Sequence, residues 1–116
     1  MADNILRSEV LDPYAQALSP SGIRMSFAIQ HDPAGHRFET RVDGARCLLE
    51  YTLSGGIMTI VHTGVPVRVG GRGIAAALVQ AALDVARREG WGVVPACSYA
   101  AAWMDRHPEY ADLCRS

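Results

Sequence analysis

A glycine-rich segment between a strand pattern and a helix pattern is the part of the sequence best suited to bind a ligand. It runs from Gly64 to Ala76 and carries glycines at positions 70, 71 and 73. Glycines just before a helix let the backbone approach a ligand, and the free N–H groups of the first helical turn attract an anion. The segment lacks the lysine and hydroxyl of a GxxxxGK[ST] phosphate loop, and its spacing does not fit a dinucleotide GxGxxG fingerprint. The sequence therefore predicts an anion site of neither kind.

The charge distribution points to the same segment. The chain has 11 Lys plus Arg, all of them Arg, against 12 Asp plus Glu, and its net charge is −1. No acidic residue occurs from Tyr51 to Leu83, whereas Arg68 and Arg72 lie inside that stretch. A bound anion is expected there. The near-neutral total and the scattered arginines argue against nucleic-acid binding.

Length and composition predict one compact domain. The chain has 116 residues, of which 49% are hydrophobic, and its three cysteines, Cys47, Cys97 and Cys114, form no CxxC pair. Such cysteine usage favours a reducing cytoplasm, and we expect no secretion signal, no membrane partner and no metal. Residues 1–22 are expected to form a poorly ordered tail with room for a brief helix over Tyr14 to Leu18. Residues 23–116 form the predicted domain.

The first half of the domain alternates apolar and polar residues, a period typical of strands. Four strands are expected, the last from Ile57 to about Val65. Tight turns at positions 32–35, at Asp43-Gly44 and at Gly55-Gly56 connect them. Asp-Gly is a strong signal for a two-residue hairpin. We therefore predict a four-strand antiparallel meander.

The second half switches to a helical period. Ile74, Leu78, Ala82 and Val85 form an apolar stripe, and Gly90 stands where a helix-capping glycine belongs. The segment from Trp91 to Cys97 is of strand type, and a strand, helix, strand order implies a parallel pair. A last helix is expected from Tyr99 to Arg106, capped by Ser98. The expected fold is mixed α/β (α+β).

Several stretches together resemble the small GNAT-type N-acetyltransferases, and within them the minimal YjdJ-like group. The resemblance covers about Arg24 to Leu113 and rests on several matching stretches. They are Arg37-Phe38-Glu39, Val42-Asp43-Gly44, Leu49-Glu50-Tyr51, His62-Thr63-Gly64-Val65-Pro66, Gly71-Arg72-Gly73-Ile74-Ala75-Ala76-Ala77-Leu78-Val79, Val93-Val94-Pro95-Ala96-Cys97 and Arg106-His107-Pro108-Glu109-Tyr110.

The resemblance implies acetyl-CoA as a cosubstrate. In GNAT proteins a Q/R-x-x-G-x-G/A loop holds the diphosphate, which corresponds here to Gly70 through Ala75. A second register, starting at Arg68, would begin the helix two residues earlier. The cofactor-binding residues expected from this resemblance are Val65, Val67, Gly70, Gly71, Arg72, Gly73, Ile74, Ala75 and Ala76. Gly70 departs from the family pattern, and so does Gly64, where related sequences carry a glutamate.

The resemblance also assigns candidate catalytic residues. The fourth and fifth strands are expected to splay beyond Val65, so that the pantetheine arm pairs with the backbone of Val65 and Val67. A backbone N–H near Gly64 or Val65 is the expected oxyanion donor. His62 is the candidate base, Cys97 a proton donor or acyl carrier, and Tyr99 and Tyr110 are further proton donors.

Each assignment has a structural alternative. His62 shares the alternation of Met58 and Ile60, which also suits a buried structural histidine, and Cys97 suits a small buried side chain. His31 and His36 flank a turn without an evident third metal ligand.

Two functions remain open at this stage. One is an N-acetyltransferase that acts on an amine of unknown identity, and the other is an acyl-CoA or phosphorylated-ligand binding module without turnover. The expected partners are a coenzyme A thioester and an amine acceptor, and the chain is expected to be a monomer or weak homodimer.

Overall fold

A computed structural model describes residues 27–115 of the chain. The predicted tail and its brief helix over Tyr14 to Leu18 lie outside this range. The strands are β1 (Gln30–Asp32), β2 (Arg37–Val42), β3 (Ala45–Ser54), β4 (Ile57–Gly64) and β5 (Gly92–Pro95). The helices are α1 (Ile74–Glu89) and α2 (Ser98–Asp105), with 3-10 helices at Val67–Val69 and Pro108–Leu113.

The strands form a single five-stranded sheet in chain order, which confirms the predicted fold class. β1 to β4 are antiparallel neighbours, and β5 lies parallel to β4. The hairpin between β2 and β3 turns through Asp43 and Gly44, whose φ angles of 51° and 78° are both positive, as the predicted two-residue turn requires. β1 is the shortest strand, with three residues. Thr40 of β2 donates its hydroxyl proton to the Ala28 carbonyl at 2.9 Å, outside the sheet ladder.

One face of the sheet carries the hydrophobic core. Inward side chains of the strands, such as Phe38, Leu49 and Met58, form a single cluster with the buried stripe of α1 and with Trp103 of α2. α1 begins at Ile74 and ends before Gly90, which has a φ of 78°, as predicted. Truncation of a fully buried leucine such as Leu83 to alanine would cost about 2–5 kcal/mol of stability.

The opposite face of the sheet is mostly polar. Its outward side chains are half-buried or exposed and include Arg37, Glu39, Arg46 and Glu50. Arg46 donates to Glu39 at 3.1 Å, and this ion pair lowers the pKa of Glu39. The connection from β1 to β2 is a short turn over residues 33–36. This face is called the outer face below.

Two sequence-based details are wrong. The residue at the N-cap of α2 is Cys97, whereas the predicted cap Ser98 is the first residue of the helix. The two parallel strands also separate earlier than predicted. Their last paired residues are Ile60 and Pro95, and the Cys97 amide then donates to the Ile60 carbonyl at 2.9 Å.

Candidate functional site

The glycine-rich loop has the backbone that its sequence predicted. Val69 is fully buried and anchors the segment, and Gly71 and Gly73 follow with φ angles of 80° and 83°. Only glycine adopts this left-handed conformation readily. A Cβ added at either glycine would meet no atom within 4 Å. The glycines therefore serve the backbone geometry and leave the space beside the loop open.

Most backbone N–H groups of this loop have no hydrogen-bond acceptor within the part of the chain that the structure describes. The amides of Val69 and Gly70 donate to the carbonyls of Pro66 and Val67 at 3.0 Å each. From Gly71 to Ala76, the amides find no acceptor among residues 27–115, and the next bond is from Ala77 to Gly73. No acidic residue lies in the first turn of α1. Free amides at the positive end of a helix dipole are donors that suit an anion.

The start of α1 favours the first of the two loop registers. The helix begins at Ile74, with Gly73 at its N-cap. This start matches the register from Gly70 through Ala75. The register that starts at Arg68 would need helix two residues earlier, where the loop still turns.

The region between the ends of β4 and β5, where the two strands no longer pair, is called the slot below. β4 continues beyond Ile60 to Gly64 and there pairs with β3, while the chain after β5 turns into α2. Of the two residues predicted to line a pantetheine arm, Val65 is half-buried and Val67 is 95% exposed in a 3-10 turn. The Val67 carbonyl, which was expected to pair with this arm, already accepts a hydrogen bond from the Gly70 amide.

A β-bulge decides which side chains of β4 reach each face. Glu50 pairs with His62, but its neighbour Tyr51 pairs with Ile60, so Val61 is an extra residue in β4. An extra residue reverses the alternation. His62 therefore points to the outer face, opposite Glu50, and is exposed. The expectation that His62 shares the buried face of Met58 and Ile60 is wrong.

His62 lies in an open depression on the outer face. The depression has a volume of about 400 Å³. A Cβ added at Gly64 would lie 3.0 Å from His62 Nε2, so the imidazole covers the place that a side chain at position 64 would take. The lining residues are Arg46, Leu48, Glu50, His62, Gly64, Val65 and Pro66.

Thr63 is the residue that the bulge turns toward the core face. It pairs with fully buried Leu49, and its hydroxyl lies 3.6 Å from Cys97 Sγ. Cys97 is half-buried at the N-cap of α2. Burial raises the pKa of this thiol, but the nearby Ala100 amide, the Thr63 side chain and the Tyr99 amide outweigh burial, so the pKa lies below its ordinary value. The Cys97 thiolate therefore forms at a lower pH than the thiolate of an ordinary cysteine.

The two tyrosine candidates lie in different settings. Tyr99 is half-buried in the first turn of α2, next to Cys97 in the chain. Tyr110 is buried and donates its hydroxyl proton to Asp84 of α1 at 2.6 Å. Burial and the Asp84 carboxylate raise the pKa of Tyr110 to about 12. This contact gives Tyr110 a structural role between α1 and the second 3-10 helix.

The structure thus separates two of the predicted catalytic residues, His62 and Cys97. Thr63 and Cys97 are in contact, whereas His62 and Thr63 point to opposite faces of the sheet. Sequence reasoning missed Thr63 and Glu50, because the alternation in β4 gave no sign of the extra Val61. Within residues 27–115, no group of three or more His, Cys, Asp or Glu side chains could hold a metal ion. No helix in the same range is long and apolar enough to cross a membrane.

Comparison with known proteins gives two matches. The family described as GCN5-related N-acetyl-transferase matches residues 37–113. The chain is also similar to a solution structure of a GCN5-like protein from Staphylococcus aureus, with a TM-score of 0.63 and 25% sequence identity. That similarity covers 79% of this chain and 92% of the other.

Proposed function

Because the chain belongs to the GCN5-related N-acetyltransferase family, we propose that it binds acetyl-CoA and transfers the acetyl group to an amine. The observation that carries this proposal is the row of free amides at the start of α1. We place the chain in the minimal YjdJ-like group, because only a short turn separates β1 from β2. Three unpaired cysteines suit a cytoplasmic location.

In this proposal the loop and the slot bind different parts of the cofactor. The diphosphate binds the amides of the loop, where Gly71 and Gly73 leave space for it. The pantetheine arm follows the edge of β4 that β5 no longer pairs, and passes Val65 and Val67. The residues that hold the cofactor in this proposal are Val65, Val67, Gly70, Gly71, Arg72, Gly73, Ile74, Ala75 and Ala76.

The chemistry then takes place at the slot. The amine nitrogen attacks the thioester carbonyl, the C–N bond forms and the C–S bond breaks. The amine loses one proton and the CoA thiolate gains one. His62, in the depression on the outer face, accepts the amine proton, and Cys97, on the core face, protonates the thiolate. A backbone N–H near Gly64 or Val65 stabilises the oxyanion.

The position of His62 favours direct transfer over a Cys97 acyl intermediate. His62 points away from the face where Cys97 meets Thr63, so it is not positioned to activate the thiol. Tyr99 is a second proton donor beside Cys97. Tyr110 has no part in this proposal, since its hydroxyl is bound to Asp84.

A binding module without turnover is the second candidate. It is favoured by Gly64, which leaves His62 as the proposed base without the carboxylate that related sequences carry at that position. Such a protein would bind acyl-CoA through the same amides and release no CoA.

The test combines binding with turnover. We expect acetyl-CoA to raise the melting temperature and CoA release to depend on an added amine. His62→Ala should lower turnover by about 10²–10⁴-fold, the usual contribution of a general base, with an unchanged Kd for acetyl-CoA. His36→Ala is the matched control, because His36 lies in the β1–β2 turn.

The possible outcomes separate the candidates. Binding without amine-dependent CoA release would favour the module. Absence of any acetyl-CoA binding would contradict both functions. Acetyl-Cys97 accumulating in the absence of amine would replace direct transfer with a covalent route.

A further inference from the structure

The hairpin between β2 and β3 brings a carboxylate to the glycine-rich loop. Asp43 Oδ2 lies 2.7 Å from Arg72 Nη1, although the two residues are 29 positions apart in the chain. Arg68 reaches the same hairpin, since its Nη2 lies 3.8 Å from the position that a Cβ on Gly44 would occupy. Both arginines of the acid-free stretch therefore meet the tip of this hairpin.

This carboxylate changes the charge of a site that is otherwise free of acids. The sequence has no acidic residue from Tyr51 to Leu83, and the first turn of α1 has none. An anion that binds the loop amides would thus find the Arg72 guanidinium already paired. The Arg72 and Asp43 side chains are 39% and 63% exposed, so their ion pair is screened by water and is readily exchanged.

We propose that Asp43 is a specificity-determining residue that occupies Arg72 in the free protein and releases it to a phosphate of the bound acyl carrier. This inference rests on the proposed acetyl-CoA function and deepens it. When a phosphate binds, Arg72 gains a phosphate contact and loses its contact with Asp43. The Asp43 carboxylate therefore competes with phosphorylated carriers for Arg72. A pantetheine thioester without phosphates has no group to exchange with Asp43.

The test is the substitution Asp43→Asn. Asparagine before glycine is a preferred pair for this turn with two positive φ angles, so the hairpin geometry is retained. We expect a Kd for CoA that is about two- to fivefold lower at low salt, in keeping with the strength of exposed ion pairs. The difference should shrink near 1 M NaCl, where the screening length falls to about 3 Å. Calorimetric titration with CoA measures its Kd at each salt concentration. Competition by pantetheine measures the affinity for a carrier without phosphates.

Two controls isolate the Arg72 contact. In an Arg72→Gln background, Asp43→Asn should leave the Kd for CoA unchanged, because the competing pair is already broken. Asp32→Asn makes the same charge change at the β1–β2 turn, where Asp32 pairs with Arg37 at 3.2 Å, and should not tighten CoA binding. Thermal unfolding of each variant checks that the fold is retained.

The results distinguish this inference from the function on which it rests. If Asp43→Asn weakens CoA binding or leaves it unchanged, Asp43 is not a competitor, while the acetyl-CoA function stands. An equal gain from Asp32→Asn would also overturn the inference, since it would reflect overall charge. If CoA binds none of the proteins, wild type included, the proposed function fails and this inference fails with it.

Discussion

At the scale of single residues, the groups around Cys97 determine the pKa of its thiol. Its thiol touches the Thr63 hydroxyl and lies at the start of α2, and these surroundings outweigh the effect of burial on its pKa. Cys47 provides the contrast within the same chain. It is fully buried, and burial raises the pKa of its thiol. The two cysteines should therefore differ strongly in reactivity.

Thr63→Val tests the contribution of the hydroxyl. The pKa of Cys97 should rise, because one of the groups that stabilise its thiolate is lost. Alkylation of Cys97 at pH 8 should then slow down severalfold, with the rate followed by mass spectrometry across pH. Thr59→Val on the outer face is the matched control. An unchanged pH profile of alkylation would show that Thr63 does not act on the thiol.

At the scale of elements, α1 lies between two glycines with different tasks. Gly73 at its N-cap and Gly90 at its C-cap have φ angles of 83° and 78°. A side chain at either position strains the backbone to a similar degree. Only Gly73 adjoins the free amides of the proposed cofactor loop.

Gly73→Ala and Gly90→Ala should therefore separate stability from binding. Each should lower the free energy of unfolding by about 1–2 kcal/mol, the cost of a left-handed non-glycine residue. Gly73→Ala should also weaken CoA binding by tenfold or more, whereas Gly90→Ala should leave the Kd unchanged. Denaturant unfolding and calorimetric titration give the two quantities. Equal Kd values for both variants would argue against diphosphate binding at this loop.

The elements that local signals encode were predictable from the sequence. Gly90 marked the end of α1, the Asp43-Gly44 pair marked its hairpin, and the strand-helix-strand order gave the parallel pairing of β4 and β5. Long-range features were not predictable. The bulge depends on how β4 registers against β3, and the contact of Asp43 with Arg72 depends on how the whole sheet places its hairpin.

At the scale of the whole molecule, the C-terminal segment closes the domain. The Arg115 amide donates to the Val93 carbonyl at 2.7 Å, and Leu113 is buried in the core. Arg87 of α1 holds Asp112 through two contacts of 3.0 Å, and Tyr110 holds Asp84. These contacts join the last residues to α1 and β5, so the segment contributes to global stability.

The Tyr110 contact predicts a loss of stability at alkaline pH. The pKa of Tyr110 is raised from 10.0 to about 12 in the folded protein. The unfolded chain therefore releases its proton first, and the stabilisation, complete below pH 10, is lost as the pH rises toward 12. Tyr110→Phe should cost about 1 kcal/mol at pH 7, the usual net value of a hydrogen bond, and remove this part of the pH dependence.

Denaturant unfolding from pH 7 to 12 measures this effect. Asp84→Asn is the companion variant, because it keeps an acceptor but removes the charge that raises the Tyr110 pKa. Its loss of stability should be smaller than that of wild type and should end at a lower pH, because the pKa of Tyr110 in the folded variant lies closer to 10.0. Parallel pH curves for wild type and Tyr110→Phe would show that the phenol is not linked to folding.

The bulge at Val61 also links the register of β4 to the chemistry of the site. If the same residues of β4 paired with β3 without the bulge, Val61 would lie opposite Glu50 and His62 opposite Leu49, and the side chain of His62 would then occupy the face that Thr63 occupies now. An imidazole would approach Cys97 and the outer depression would lose its base, with no substitution at either position. In relatives of this chain, a β4 strand of the same length without the bulge would thus change the reactive groups at the slot as thoroughly as point mutations would.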